Sequence, residues 1–481
     1  MTAPETPFAD AVDAFLRESP TAFSTPGHKR NPALIGDDPL LAHDAPMHGG
    51  ADDLRGGKEI RKRAERLAAT AFGADLCRFS GNGSTHPNQA LCLAVASEGQ
   101  PMVVSRCSHK SVAAGLVLSG ARPVWVAPAV DEGRGVALGH PVEAIEAALE
   151  AEPDARAILL VEPSWLGVVS PVARIAELAH ARGIPLICDQ AWAGHFGFHP
   201  DVPASALALG ADAVAISTHK ALTSFTPGAV LLARDTGYLD LGRLDAAFDV
   251  LETTSPSASL FGSIDRARAL LEQRGHELLT HALGLATLAR ELIGEIEGVQ
   301  MLDDGVLAHP SVGARDPLKL IIDVSATLAD GIAVDRSLNE RGIRLEGADR
   351  RTLVPLLTIG DDETRVRHLA AALTEAIDEN RGGLQEAPRI ATSWRTLHEQ
   401  VMTPRQAFFA PRERVGFEDA VGRVSAELVA PYPPGIPALA PGEVVSAELV
   451  AALRDEVAGG TRMAGVSDTT LATLFVVAVT P

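Results

Sequence analysis

Two stretches, IPLICDQAWAGHFGFHP (residues 184–200) and ADAVAISTHKALTS (residues 211–224), decide how this chain folds. Each opens with a short, nearly all-apolar run, 185–189 and 213–217, bounded by turn-forming residues, which reads as a buried strand. The first run ends on Asp189, and Lys220 stands a few residues past the second. A carboxylate ending an apolar strand is costly unless something pairs with it. It either caps the following turn or meets a cation such as a protonated ring nitrogen, a contact worth ~1.5–3 kcal/mol. A lone lysine at a strand end is usually solvated, but one partly removed from water loses basicity and attacks carbonyls as a free amine. If the two strands are neighbours, Asp189 and Lys220 share one site. His195 and His199 are four apart but lack an HExxH pattern and sit among Gly194, Gly197 and Pro200, so they read as packing residues and no metal is expected.

Working outward, runs 103–105, 123–126, 157–162 and 229–233 are further strands, and 172–182 is a helix stopped by Gly183. Strands alternating with helices make an α/β unit with a mostly parallel sheet covered on both faces, whose chemistry gathers at the strands' carboxyl ends. After Pro256 comes a long helical stretch, about 264–296, then a smaller α+β unit with a strand at 318–324 and a helix at 363–380. Residues 382–389 read as a linker, and 431–442, crowded with Pro and Gly, as irregular chain. The expected division is an N-terminal segment 1–20, a large domain 21–310, a small α+β domain 311–385 and a C-terminal domain 386–481. No internal repeat or low-complexity tract interrupts it.

Before the first of these strands lies SGNGSTHPNQALCLA (80–94). Gly81 and Gly83 permit a tight turn, Ser84 and Thr85 supply hydroxyls, and a helical pattern begins at once. A helix N-terminus suits a phosphate, although capping by Ser84 or Thr85 explains the same residues. It is no Walker loop, and Gly56-Gly57-Lys58, followed by Glu59, fails that test too.

Composition narrows the function classes. The 481 residues carry 42 Lys and Arg against 62 Asp and Glu, a net charge of -20, which repels phosphate backbones and disfavours nucleic-acid binding. Cys77, Cys92, Cys107 and Cys188 form no CxxC pair, against a disulfide scaffold or structural zinc. The acidic start MTAPETPFADAVDAF is unlike a secretory signal, and no apolar run approaches the ~18 residues of a membrane span. A cytoplasmic protein that touches no membrane is expected.

Across its length the chain resembles the Orn/Lys/Arg decarboxylase family, bacterial decarboxylases built on the aspartate-aminotransferase fold (pyridoxal phosphate fold type I). The matching pieces are TPGHK (25–29), DDL (52–54), FGAD (72–75), NGST (82–85), SHKSV (108–112), STHK (217–220) and TTSPS (253–257). AFFAP (407–411), AVGR (420–423), PYPPGIP (431–437) and PGE (441–443) continue the series in order. The resemblance implies a short form without the receiver-like N-terminal domain of the large inducible enzymes. It implies that Lys220 carries pyridoxal 5'-phosphate as a Schiff base, Asp189 pairs with the ring nitrogen, His109 stacks on one ring face and Ala191 packs on the other. Gly83, Ser84, Thr85 and Ser217 would hold the phosphate, with His219 beside them, and Lys220 or His219 would return a proton to the substrate. Thr253 and Ser255 would come from a second subunit of a homodimer, and Glu443 would read the substrate's distal cation. The implied reaction removes CO2 from a basic amino acid, arginine before lysine before ornithine. Transamination or oxidative chemistry on the same fold, and a non-catalytic regulatory relative, are the alternatives. One departure lies near Lys220: Thr226-Pro227-Gly228 replaces the Gln-containing sequence of many relatives.

Overall fold

The apolar runs read from the sequence become the centre of a seven-stranded sheet. The computed structural model describes residues 4–18, 23, 25–47, 51–52, 59–133, 136–302, 308–387, 393–432 and 435–478. Of the residues singled out above, Asp53, Leu54, Gly56, Gly57, Lys58, Pro388, Arg389, Pro433 and Pro434 lie outside these, as do the ends of the 1–20 segment.

The strands are β1 (Leu76–Ser80), β2 (Pro101–Ser105), β3 (Arg122–Val126), β4 (Ile158–Val161), β5 (Leu186–Asp189), β6 (Ala213–Ile216) and β7 (Ala229–Ala233). Their order is β1-β7-β6-β5-β4-β2-β3, with β7 antiparallel to both its neighbours. The expected neighbour relation holds: β5 and β6 pair in parallel, Asp189 against Ala215. Successive residues of the buried strands face opposite sides. Cys188, Val214 and Ile216 join one core, with Phe79 and Phe261, while Ile187, Ala213 and Ala215 join the other, with Leu91 and Phe248. Strand β1 was absent from the sequence reading, because Arg78 interrupts its apolar run. Its guanidinium leaves the core for Asp245 and Glu65.

The helix expected from 264 runs from Ala258 to Gly294. Its first turns pack Phe261 and Ile264 on the large sheet; its later ones bury Leu279, Leu285 and Ile293 in a second core. That core belongs to a four-stranded sheet ordered Gln300–Met301, Ile322–Asp323, Thr352–Val354, Gly347–Ala348, backed by helices Gly331–Glu340 and Glu363–Asn380. The edge strand Gln300–Met301 precedes the boundary expected at 310, and the strand expected over 318–324 is regular only at Ile322–Asp323. The N-terminal helix Pro7–Glu18 is part of the large domain's core: Phe8 meets Phe261 edge-on and its amide donates to Asp265. A third unit, formed by the described residues 393–432 and 435–478, packs Trp394, Phe417 and Leu474 with Leu449 of helix Ala447–Ala458. Within the stretch read as irregular, Ala430–Tyr432 pairs with Arg462–Ala464 as a short ribbon. Among the described residues no helix is long and apolar enough to cross a membrane.

Candidate active site

Asp189 closes β5, and Lys220 lies in the single-turn helix Thr218–Ala221 after β6, so both groups stand at the same carboxyl edge of the sheet. Asp189 is buried; its Oδ2 accepts from Asn88 Nδ2 (2.7 Å) and its Oδ1 from the Ala191 amide (3.0 Å). Lys220 Nζ rests 3.7 Å from the centre of the Trp192 ring. Burial lowers its pKa, opposed by the charges of Asp189 and Glu346. The lysine thus keeps a larger neutral fraction than a solvated one.

His109 caps helix Lys110–Ser119 and joins the same group of charges. Its Nδ1 accepts from the Ser111 amide (3.3 Å), so that nitrogen carries no proton, and Ser111 Oγ lies 2.9 Å away. Ser111 Oγ in turn accepts from Asn88 Nδ2 (3.0 Å), which frees the hydroxyl proton for His109. Burial lowers the His109 pKa; Asp189 opposes this and Lys220 and Lys110 reinforce it. Both the burial and the accepting Nδ1 favour the neutral form with its proton on Nε2. Asn88, which links Asp189 to His109 through Ser111, was missed in the sequence. Its only signal is a buried polar residue one turn into the helix that begins at Thr85.

The turn before that helix is shaped by Gly83 and Ser84. Gly83 adopts φ +59° and donates its amide to Pro227 O (2.7 Å), so its part is conformational and its own N–H is spent. Ser84 occupies the N-cap position without a side-chain capping bond, against the capping explanation; its Oγ instead accepts from buried Ser217 (3.0 Å). Helix Thr85–Val95 leaves its first amides facing this point. The departure at 226–228 is integral to the turn, since the Gly228 carbonyl lies 2.8 Å from His219 Nδ1. A carbonyl only accepts, so His219 carries a proton on Nδ1.

Other expectations fall elsewhere. Glu443, expected to read the substrate's distal cation, is engaged within the chain. It is fully buried, with Oε1 and Oε2 bound to Arg106 at 2.7 and 2.9 Å, and Oε2 also accepts the Ala440 amide. Both carboxylate oxygens are thus engaged by an internal guanidinium. Thr253 and Ser255 are exposed and bond only with each other in the contacts seen here. Thr253 borders a cavity of about 360 Å³ shared with Gly81, Asn82 and His86. His195 and His199 turn to separate partners, Asp316 and Thr280.

A poorly basic lysine, a carboxylate with lone pairs to spare and a hydroxyl-lined helix start fit a ligand with an aldehyde, a basic ring nitrogen and a phosphate. The fold agrees. The structure superimposes on lysine decarboxylase from Francisella novicida with a TM-score of 0.83 at 19% identity, over 98% of this chain and 80% of that one. It also aligns with SPT with PLP (TM-score 0.55, 14% identity, 78% of this chain and 85% of that one). The fold is that of the type I pyridoxal-phosphate enzymes, with an added C-terminal domain.

Within that class the chain belongs to the Orn/Lys/Arg decarboxylase family: the family's major domain matches residues 6–365 and its C-terminal domain residues 388–456. It is 35% identical to an arginine decarboxylase of Halalkalibacterium halodurans, over 98% of both chains. It is 33% identical to the arginine decarboxylase of Bacillus subtilis, over 98% of this chain and 97% of that one. The constitutive lysine decarboxylase of Escherichia coli is 24% identical, over 92% of this chain and 76% of that one. The chain is therefore an amino-acid decarboxylase, a lyase acting on basic amino acids.

Proposed function

We propose that this enzyme converts arginine, in preference to lysine and ornithine, to its amine and CO2, using pyridoxal 5'-phosphate held by Lys220. The observation that carries the chemistry is the pairing of Lys220 and Asp189 at the ends of adjacent parallel strands. The order of substrates rests on the arginine decarboxylases being nearer relatives than the lysine enzyme.

Bound there, the cofactor supplies a sink for the electron pair left when the bond from Cα to the carboxylate breaks. The chain's own residues do the rest. Lys220, whose basicity burial lowers, would hold the cofactor through its amine. Asp189, fixed by Asn88 and Ala191, would keep the ring nitrogen protonated. His109 and Ala191 would pack against the cofactor's ring. Ser84, Thr85 and Ser217 would hold the phosphate, with Gly83 shaping the turn. Lys220, or His219 once its Nε2 has itself taken up a proton, would return one proton to Cα as CO2 departs. Thr253 and Ser255 complete the phosphate site from a second copy, in a homodimer whose sites are shared.

Two measurements test this. The purified protein is incubated separately with arginine, lysine and ornithine, and CO2 and amine are quantified; equal amounts of both, greatest with arginine, are expected. A keto acid or peroxide without matching CO2 overturns it. Lys220→Ala is expected to lose the cofactor's bound absorbance and at least about 10³-fold in rate while remaining folded by circular dichroism. Parent-rate turnover by that variant refutes the assignment.

A further inference from the structure

Lys319 stands in the small domain, directly across from the site described above, and nothing so far uses it. It is 0% exposed, yet Nζ has no hydrogen-bond partner among the described residues. Nζ lies 3.5 Å from the centre of the Trp192 ring, the same ring that Lys220 Nζ meets at 3.7 Å. At most about twice that distance therefore separates the two amines. The surrounding chain holds Lys319 there. Gly167, at φ +82°, lies so close that a Cβ on it would come within 2.9 Å of Lys319 Cβ and Cγ. Asp316, three residues earlier, is anchored by His195 (3.1 Å) and the Leu318 amide (3.0 Å). Asp316 and Glu346 are the acids whose charges act on Lys319, but neither bonds to Nζ.

A buried amine without a partner costs stability and is retained where a ligand completes it. A basic amino acid offers only one anion, its α-carboxylate. Its α-nitrogen must take the place of Lys220 Nζ on the cofactor, and the carboxylate carbon is two bonds from that nitrogen. This puts the carboxylate beside Trp192, within reach of an ammonium on the same ring. We infer that Lys319 is the substrate-positioning residue that receives the α-carboxylate and thereby sets which bond to Cα is broken. The inference rests on the decarboxylase reading above. Because the carboxylate loses its charge as it becomes CO2, this contact weakens in the transition state. Its removal is read in KM and in ligand affinity more than in kcat.

The test compares arginine with agmatine, the same skeleton without the carboxylate, on the pyridoxal-phosphate-loaded enzyme, by the change in cofactor absorbance on binding and by steady-state kinetics. Lys319→Met is expected to weaken arginine binding and raise KM about ten- to hundredfold, agmatine affinity changing by less than about threefold. Lys319→Arg, which keeps the charge, is expected to recover most of the arginine affinity. Equal weakening of both ligands, no weakening of either, or an altered cofactor spectrum before any ligand is added overturns the assignment; the last would point to the cofactor's ring oxygen as the partner. Should Lys319→Met fail to fold, the arginine-to-agmatine ratio in Lys319→Arg decides: a ratio lost despite retained charge also overturns it. The unaltered enzyme is measured alongside. If it binds arginine without releasing CO2, the decarboxylase reading fails while the binding comparison still judges Lys319.

Discussion

At Lys319 the balance between burial and function has a measurable pH signature. Burial, with Lys220 reinforcing it, brings the lysine from its ordinary 10.5 to about 8, while Glu346 and Asp316 resist. Between those values the unfolded chain binds the proton and the folded chain does not, so stability rises with pH across that window. Below about pH 8 both states are protonated and this contribution is flat, the folded state there bearing the cost of a buried charge. Thermal melts of the cofactor-free protein should show this rise between about pH 8 and pH 10, and Lys319→Met should reduce it and raise the midpoint at pH 7. A Lys319→Met protein with the same pH slope as its parent refutes the assignment of that slope to Lys319. Nothing local marks this residue in the sequence. Lys220 was legible because it follows an apolar strand and has company in order along the chain; Lys319 acquires meaning only when the small domain brings it to Trp192. Asn88 escaped for the same reason, as its two partners, Asp189 and Ser111, are far away in sequence.

Elements were easier to read where a single period governs them. The central strands declared themselves because both faces are buried, and β7 was found although its antiparallel direction could not be. Strand β1 was lost to one arginine whose partners lie on other elements. Glu443, in the stretch Pro441–Gly442–Glu443, was read as a substrate contact because burial is invisible in a loop sequence. In the fold it fastens the C-terminal domain to the end of β2 through Arg106, which also bonds to Ala438 O and lies over Trp125. Glu443→Gln leaves the guanidinium of Arg106 buried without its counter-charge, a loss of about 3–5 kcal/mol. Chemical denaturation should show that loss, and replacing Arg106 and Glu443 together by methionine should restore much of it. A Glu443→Gln protein of unchanged stability whose KM for arginine rises would return the residue to the substrate.

For the whole molecule, the decisive question is where one active site ends. In the single chain Thr253 and Ser255 are exposed and bond with each other, while Lys220 and Ser217 lie at the strand edge beside Ser84. The family resemblance assigns these two hydroxyls to a neighbouring subunit, a relation that no reading of one chain supplies. The consequence is quantitative. If sites are shared, Lys220→Ala and the double variant Thr253→Ala, Ser255→Ala each spoil both sites of their own dimer. A hybrid of the two places both defects in one site and leaves the other intact. Unfolding and refolding an equal mixture at random makes half the dimers hybrids, each with one working site. Activity should therefore return to about a quarter of the unaltered enzyme's, from two preparations that are nearly inactive alone. Sites confined to single chains would give the average of the two parents at every mixing ratio. A linear titration would thus reassign Thr253 and Ser255 to their own chain, whereas a maximum at equal mixing requires that the phosphate site be built by two.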